Sequence, residues 1–230
     1  MTDIDMHVLL VDGSPQANPP ELVAGLAEDC EVVVAVDRGA EVCRAAGIVP
    51  SALVGDMDTI SEETLAWVRE HGVREEAFDE EKDDTDLSLA FDVASELVAE
   101  AGGNPASWMP IVTCASGGRP DHFLGVVGQL ARHAELGPLL FENGYEAFVL
   151  SPKGRATWDI GEMGRGKTFS LVPLEESVVS EENMYWELDH ERLAGLADRG
   201  ISNRVTTGMA RVTCHEGCVL AMLIWGVWRA

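Results

Sequence analysis

The run EVVVAVDRGAEVCRAAGIVPSALVGDMDTI, Glu31 to Ile60, decides the fold class. It opens on Glu31 to Val36, a stretch rich in β-branched residues with little polar alternation, the pattern of a strand covered on both faces. Ala40 to Ala46 then spaces its apolar residues as a helix does, and Ala52 to Val54 returns to a short buried strand. Strand, helix and strand in this order make the crossover that joins parallel neighbours in a sheet.

The same alternation continues outward. His7 to Val11 reads as a further buried strand and Glu21 to Asp29 as a helix. Ser61 to His71 has a Ser at its start, Glu62 and Glu63 in its first turn and Gly72 past its end, which are helix start and stop signals. Thr85 to Ala101 is a long amphipathic pattern ending at Gly102-Gly103. Met109 to Cys114 is another buried strand, and Phe123 to Glu135 reads as a helix. Beyond about Asn143 the character changes. Tyr145 to Leu150, Arg155 to Ile160, Lys167 to Val172, Ala210 to His215 and Cys218 to Trp225 are short strand-like runs, punctuated by Pro152, Gly154, Gly161, Gly164, Gly166, Pro173 and Gly217. The predicted architecture is α/β: a mainly parallel, doubly wound, Rossmann-like domain over residues 1–144, then a small all-β sandwich over residues 145–230.

Composition narrows the function classes. The 230 residues carry 40 acidic and 16 basic side chains, a formal charge of −24, and such a surface repels nucleic acid and anionic lipid. A protein of this charge that binds ATP needs a metal ion and local basic groups at the phosphates. No apolar run approaches the roughly 20 residues that span a bilayer. The opening MTDIDMHVLL is acidic and lacks the basic region of a secretory signal, so a cytoplasmic protein is expected. Cys30, Cys43, Cys114, Cys214 and Cys218 are expected to be free thiols. Cys214 and Cys218 flank His215, but no second Cys/His pair lies nearby, and structural zinc takes four ligands.

Three acidic clusters sit where strands end or helices begin. Gly55-Asp56-Met57-Asp58 follows a buried strand, in the position where open α/β sheets bind ligands. Two carboxylates on such a turn suit Mg²⁺, which takes one or two of them with phosphate oxygens and water. An Asx turn accounts for the same residues equally well. Glu80-Glu81-Lys82-Asp83-Asp84-Thr85-Asp86 opens the long helix. Capping and the helix dipole explain the acids, whereas a lone Lys at a helix N-terminus fits a phosphate ligand. Ser116-Gly117-Gly118-Arg119-Pro120-Asp121-His122 follows the strand ending at Cys114. Its glycines allow close backbone approach, and Arg119 offers a planar fork to phosphate. Alternatively Arg119 pairs with Asp121, and His122 is structural.

Taken in order, these runs resemble the motifs of the thiamine pyrophosphokinase family. Gly55-Asp56-Met57-Asp58-Thr59-Ile60, Glu81-Lys82-Asp83-Asp84-Thr85-Asp86 and Gly117-Gly118-Arg119-Pro120-Asp121-His122 are similar to the family's GDFDSI, EKDxTD and GGRxDH. Lys167 to Leu174 resembles the strand before the family's thiamine site, and Gly200-Ile201-Ser202-Asn203 its late Ser-Asn motif. The resemblance implies transfer of a diphosphoryl group from ATP to the hydroxyethyl oxygen of thiamine, with AMP leaving. It implies that Asp56, Asp58 and Asp86 bind Mg²⁺ and the ATP phosphates, with Asp37, Lys82, Asp83, Arg119 and Asp121 in the same nucleotide site. Asp86 and Asp121 are its candidates for accepting the hydroxyl proton. It implies that Ser202 and Asn203 lie near thiamine, that Trp186 stacks on the pyrimidine ring, and that the enzyme is a homodimer with thiamine between the α/β domain of one subunit and the β domain of the other. There are departures: Asp37-Arg38-Gly39-Ala40 has Arg where the family commonly has Gly, and Met57 replaces Phe. The rival expectations are a pyrophosphokinase of the same architecture acting on another heterocycle, such as a pterin, and a sensor of thiamine or nucleotide without catalysis.

Overall fold

The computed structural model describes residues 6–78 and 85–226. The chain runs β1 (His7–Val11), α1 (Pro20–Ala27), β2 (Val32–Val36), α2 (Gly39–Ala46), β3 (Ala52–Gly55), α3 (Glu62–Glu70), β4 (Arg74–Ala77), α4 (Asp86–Glu100), β5 (Met109–Thr113) and α5 (Pro120–Arg132). It continues through β6 (Leu139–Glu142), β7 (Tyr145–Leu150), β8 (Thr157–Asp159), β9 (Thr168–Pro173), β10 (Ser177–Glu182), β11 (Leu188–Leu193), β12 (Asn203–Arg204), β13 (Arg211–Glu216) and β14 (Val219–Ile224). Two compact units result, Met1–Gln129 and Leu130–Ala230.

In the first unit the strands stand in the order β5-β1-β2-β3-β4, and every pair is parallel. Val8, Leu9, Leu10 and Val11 are fully buried, as the unbroken apolar run of β1 requires. Helix α4 packs on β2 and β3 and buries Leu87, Ala90, Phe91, Ala94 and Val98, a helical stripe. Its N-cap is Thr85, whose hydroxyl accepts from the Ser88 N–H at 3.2 Å, and Ser61 caps α3 through the Thr64 N–H at 3.2 Å. Each cap satisfies one of the N–H groups that a helix start leaves unpaired.

Strand β4 was not expected. Its residues, Arg-Glu-Glu-Ala, carry no strand-like apolar signal, and among the described residues it is an edge strand that pairs only with β3. Arg74 holds it by ion pairs to Glu76, Glu96 and Glu100. Charge on an edge also blocks pairing with a second chain.

In the second unit all strand pairs are antiparallel, in two sheets. One contains the run β12-β9-β14-β7-β6 and the other β11-β10-β13-β8. The sheets meet around Trp158 on β8, whose ring lies 5.0 Å from Phe148 on β7 and 6.2 Å from Phe169 on β9. This is the expected all-β sandwich, with four further strands, β6, β10, β11 and β12. Strand β10 (SVVSEE) places Ser177, Ser180 and Glu181 inside, so its polar composition hides its burial. Strand β11 (LDHERL) is exposed over most of its length. All five cysteines are free thiols. Among the described residues no helix is long and apolar enough to cross a membrane.

Candidate active site

In the first unit the chain order reverses between β1 and β5, because β1 has β2 on one side and β5 on the other. Ligands of open α/β sheets bind outside the carboxyl ends of the strands at such a switch point. Asp12 follows β1, Asp37 follows β2, Asp56 follows β3, and Cys114 leads from β5 into Ser116-Gly117-Gly118. Three of these exits turn through left-handed backbone, at Asp37 (φ 44°), Met57 (φ 64°) and Cys114 (φ 57°). Such conformations are uncommon for residues other than glycine and cluster at functional sites.

Two glycines let the exits close on one another. A Cβ on Gly55 would fall 1.7 Å from Asp37 Oδ1, and one on Gly39 would fall 1.8 Å from the Val11 carbonyl oxygen. The Asp37 carboxyl therefore lies across the β3 exit, and the start of α2 sits against β1.

The carboxyls then face each other. Burial, the charge of Asp86, a hydrogen bond shared with Asp86 and the charge of Asp56 push Asp37 up to about 7, against the opposing pull of the Met57 N–H. Burial pushes Asp12 up to about 6; its 2.7 Å bond from the Gly13 N–H and the His122 charge oppose this, and Asp86 adds to it. Asp37 Oδ1 is buried with no hydrogen-bond partner. Asp12, Asp37, Asp56 and Asp86 thus gather negative charge that a cation would neutralise.

The donor set fits magnesium. It consists of hard carboxylate oxygens, one of them buried and unpaired. Among the described residues no three His, Cys, Asp or Glu side chains are already grouped as a metal site. Magnesium usually takes one or two carboxylates and draws its remaining ligands from water and phosphate, so an open set is what it requires.

The structure brings Asp56 and Asp86 together through Asp37. Asp58 is exposed, and its N–H donates to Asp56 Oδ1 at 3.1 Å, so the Asx turn forms alongside the cluster. Arg119 pairs with Asp121 through Nε–Oδ1 at 3.2 Å and Nη2–Oδ2 at 2.6 Å, and this fork holds Asp121 down at about 2. Lys82 and Asp83 lie outside the described residues. Arg38 heads α2 exposed, with φ −57°, so the side chain at this usual glycine position strains nothing. Sequence reasoning missed Asp12 and its apposition to His122. Its one sequence signal is that Asp12 directly follows a buried strand as Asp37 does, and Asp-Gly-Ser masks that signal by reading as a turn.

The second unit carries a cleft of about 580 Å³ whose walls include Tyr185, Trp186, Ile201 and Asn203. Trp186 is 60 % exposed, unusual for so large an apolar surface, and Tyr185 meets it edge-on at 4.8 Å. Asn203 fixes the turn beneath. Its Nδ2 donates to Glu181 Oε2 at 2.6 Å and to the Trp186 carbonyl at 2.7 Å, and its Oδ1 accepts from the N–H groups of Trp186 at 3.1 Å and Arg204 at 2.8 Å. Those four bonds use the whole capacity of an amide, so Asn203 positions the wall and has none left for a ligand. Ser202 adopts φ 62°, with its N–H bonded to Ser170 Oγ at 3.0 Å. Glu181, also missed in the sequence, lines the same cleft at 1 % exposure, and burial pushes it up to about 7 despite the bond from Asn203.

Comparison with known proteins matches both units. The family model described as thiamin pyrophosphokinase, catalytic domain, matches residues 23–138, just over half of the chain. The model described as thiamin pyrophosphokinase, vitamin B1 binding domain, matches residues 159–219. The chain is 27 % identical over 170 residues to the thiamine pyrophosphokinase of Bacillus subtilis, covering 74 % of each chain. The crystal structure of the thiamine pyrophosphokinase from Bacillus subtilis superposes with a TM-score of 0.80 at 21 % identity, covering 96 % of this chain and 100 % of that one. The thiamin pyrophosphokinase from Candida albicans gives 0.77 at 16 % identity, covering 95 % and 90 %. The structural likenesses establish a shared fold, and with the catalytic-domain match spanning more than half its length, the chain belongs to the thiamin pyrophosphokinase family.

Proposed function

We propose that this chain transfers the diphosphoryl group of ATP to the hydroxyethyl oxygen of thiamine, giving thiamine diphosphate and AMP. The observation that carries this reading is the convergence of Asp12, Asp37, Asp56 and Asp86 at the switch point of the parallel sheet. In this reading residues 1–144 form the catalytic domain and residues 145–230 the thiamine-binding one.

Asp56, Asp58 and Asp86 would hold Mg²⁺, with Asp37 as their neighbour. Bound there, the ion would neutralise phosphate charge and act as a Lewis acid on the transferring group. Arg119, on exchanging Asp121 for the ligand, would present its fork to phosphate oxygens, and Lys82 and Asp83 belong to the same nucleotide site. Positioning and charge neutralisation supply most of the rate in such transfers, with little covalent help from the protein. The thiamine hydroxyl must lose a proton as its oxygen attacks. Asp121 is a weak acceptor because Arg119 holds it near 2. Asp86, which shares a hydrogen bond with Asp37, is the other candidate acceptor. Trp186 offers its exposed face to the pyrimidine ring, while Ser202 and Asn203 shape the wall behind it. A cytoplasmic homodimer, with thiamine held between the domains of two subunits, belongs to the same reading.

The test mixes the chain with Mg-ATP and either thiamine or a hydroxymethyl pterin and measures AMP. Release with thiamine alone is expected. Release with the pterin alone would replace the acceptor, and thiamine binding without AMP release would make the chain a sensor.

A further inference from the structure

Among the described residues that line the cleft, Glu181 is the one with a buried side-chain oxygen lacking a partner. It stands on β10 at 1 % exposure, and its Oε2 accepts from Asn203 Nδ2 at 2.6 Å. Its Oε1 is buried with no hydrogen-bond partner. A buried carboxyl oxygen without a donor is costly, and native structures rarely keep one without a use.

No donor among the described residues reaches that oxygen. The Asn203 amide is saturated, and the Trp186 backbone N–H is already donated to Asn203 Oδ1. Arg199 is ion-paired with Glu191. Leu188 and Ile201 bring only apolar surface. An unmet acceptor beside an exposed indole describes half of a recognition site for a flat, nitrogen-rich ring bearing an amine: the indole stacks on the ring face, and the carboxyl takes one N–H.

We propose that Glu181 is the specificity-determining residue of this cleft, its free oxygen accepting a hydrogen bond from an exocyclic amine of the heteroaromatic ligand stacked on Trp186. The inference rests on the thiamine reading above, in which the donor is the 4-amino group of the pyrimidine ring. It assigns selection among heterocycles to one buried acid rather than to the Ser202-Asn203 pair, because Asn203 is saturated by the protein itself.

The test compares thiamine with its analogue bearing a carbonyl oxygen in place of that amine. Affinity is read by calorimetry and KM by AMP release, in the wild-type protein and in Glu181→Gln. The wild type is expected to favour the amine by about 10- to 100-fold, the range of a hydrogen bond to a charged group. Glu181→Gln, whose amide can present either oxygen or N–H, is expected to reduce that preference to within about threefold, with KM for ATP unchanged. A wild type indifferent to the exchange would overturn the proposal without recourse to any variant. So would a Glu181→Gln protein that keeps both the preference and the wild-type KM for thiamine. Melting curves confirm that the variant is folded when its affinity is read. If thiamine turns over but the preference is absent, the role of Glu181 alone fails. If the wild type releases no AMP with thiamine, the proposed function fails with it.

Discussion

The acidic cluster of the first unit and Glu181 of the second hold carboxyls well above their ordinary range, but for different reasons. At Asp37, burial is reinforced by the charges of Asp86 and Asp56. At Glu181, burial is the cause that raises it, and the hydrogen bond from Asn203 pulls the other way. Mutual repulsion calls for a cation able to serve several oxygens at once. Burial of one unpartnered oxygen calls for a single donor. Two sites with the same direction of shift therefore point to two kinds of ligand, a metal-bound polyphosphate and an amine-bearing ring.

The largest effect should come from the cluster. Asp86→Asn is expected to lower AMP release by about 100- to 1000-fold, the usual scale for lost electrostatic stabilisation, and Asp58→Asn by more than about 100-fold. Without ligands the Asp86→Asn protein should melt no lower than wild type, since a repulsive charge has gone. A lower melting temperature would mean that the acids support the fold rather than strain it.

Next comes pH. Glu181 binds its proton up to about 7 when folded, against an ordinary value of 4.5. Its contribution to stability is therefore greatest below about 4.5 and is lost as pH rises toward 7, by up to about 3 kcal/mol. Glu181→Gln should match wild type near pH 4 and exceed it at pH 8 in chemical denaturation. Equal stability at both values would mean that Glu181 feels no burial cost. A smaller change is expected from Trp186→Ala, which should raise KM for thiamine about tenfold while leaving KM for ATP alone. An unchanged KM for thiamine would remove the cleft from the site. Smallest of all, Arg119→Ala should leave the melting temperature where it was, because both partners of its ion pair are exposed. A clear fall would show that the fork with Asp121 is structural.

The parallel half was legible because β1, β2, β3 and β5 are apolar along their length and α3 and α4 begin on capping residues. Strands β4, β10 and β11 were not, since charge or buried polar side chains replace the apolar pattern there. Asp56 and Asp86 could be found from their positions at a strand end and a helix start. Asp12 was hidden because Asp-Gly-Ser reads as a turn, and its relation to Asp86 and His122 exists only in three dimensions. Glu181 was hidden for the same reason, amid Ser180, Glu182 and Asn183, residues that on their own suggest a solvated loop.

Gly39 and Gly55 carry a consequence for anyone mapping this enzyme by mutation. Each leaves a space that an opposing carbonyl or carboxylate occupies, within 2 Å of where a methyl group would stand. A scan that infers importance by trimming atoms would pass over both, having nothing there to trim. Adding a single carbon at either should do more harm than deleting most of the side chains around it, because the shape of this cluster of strand exits is drawn partly by what its chain omits.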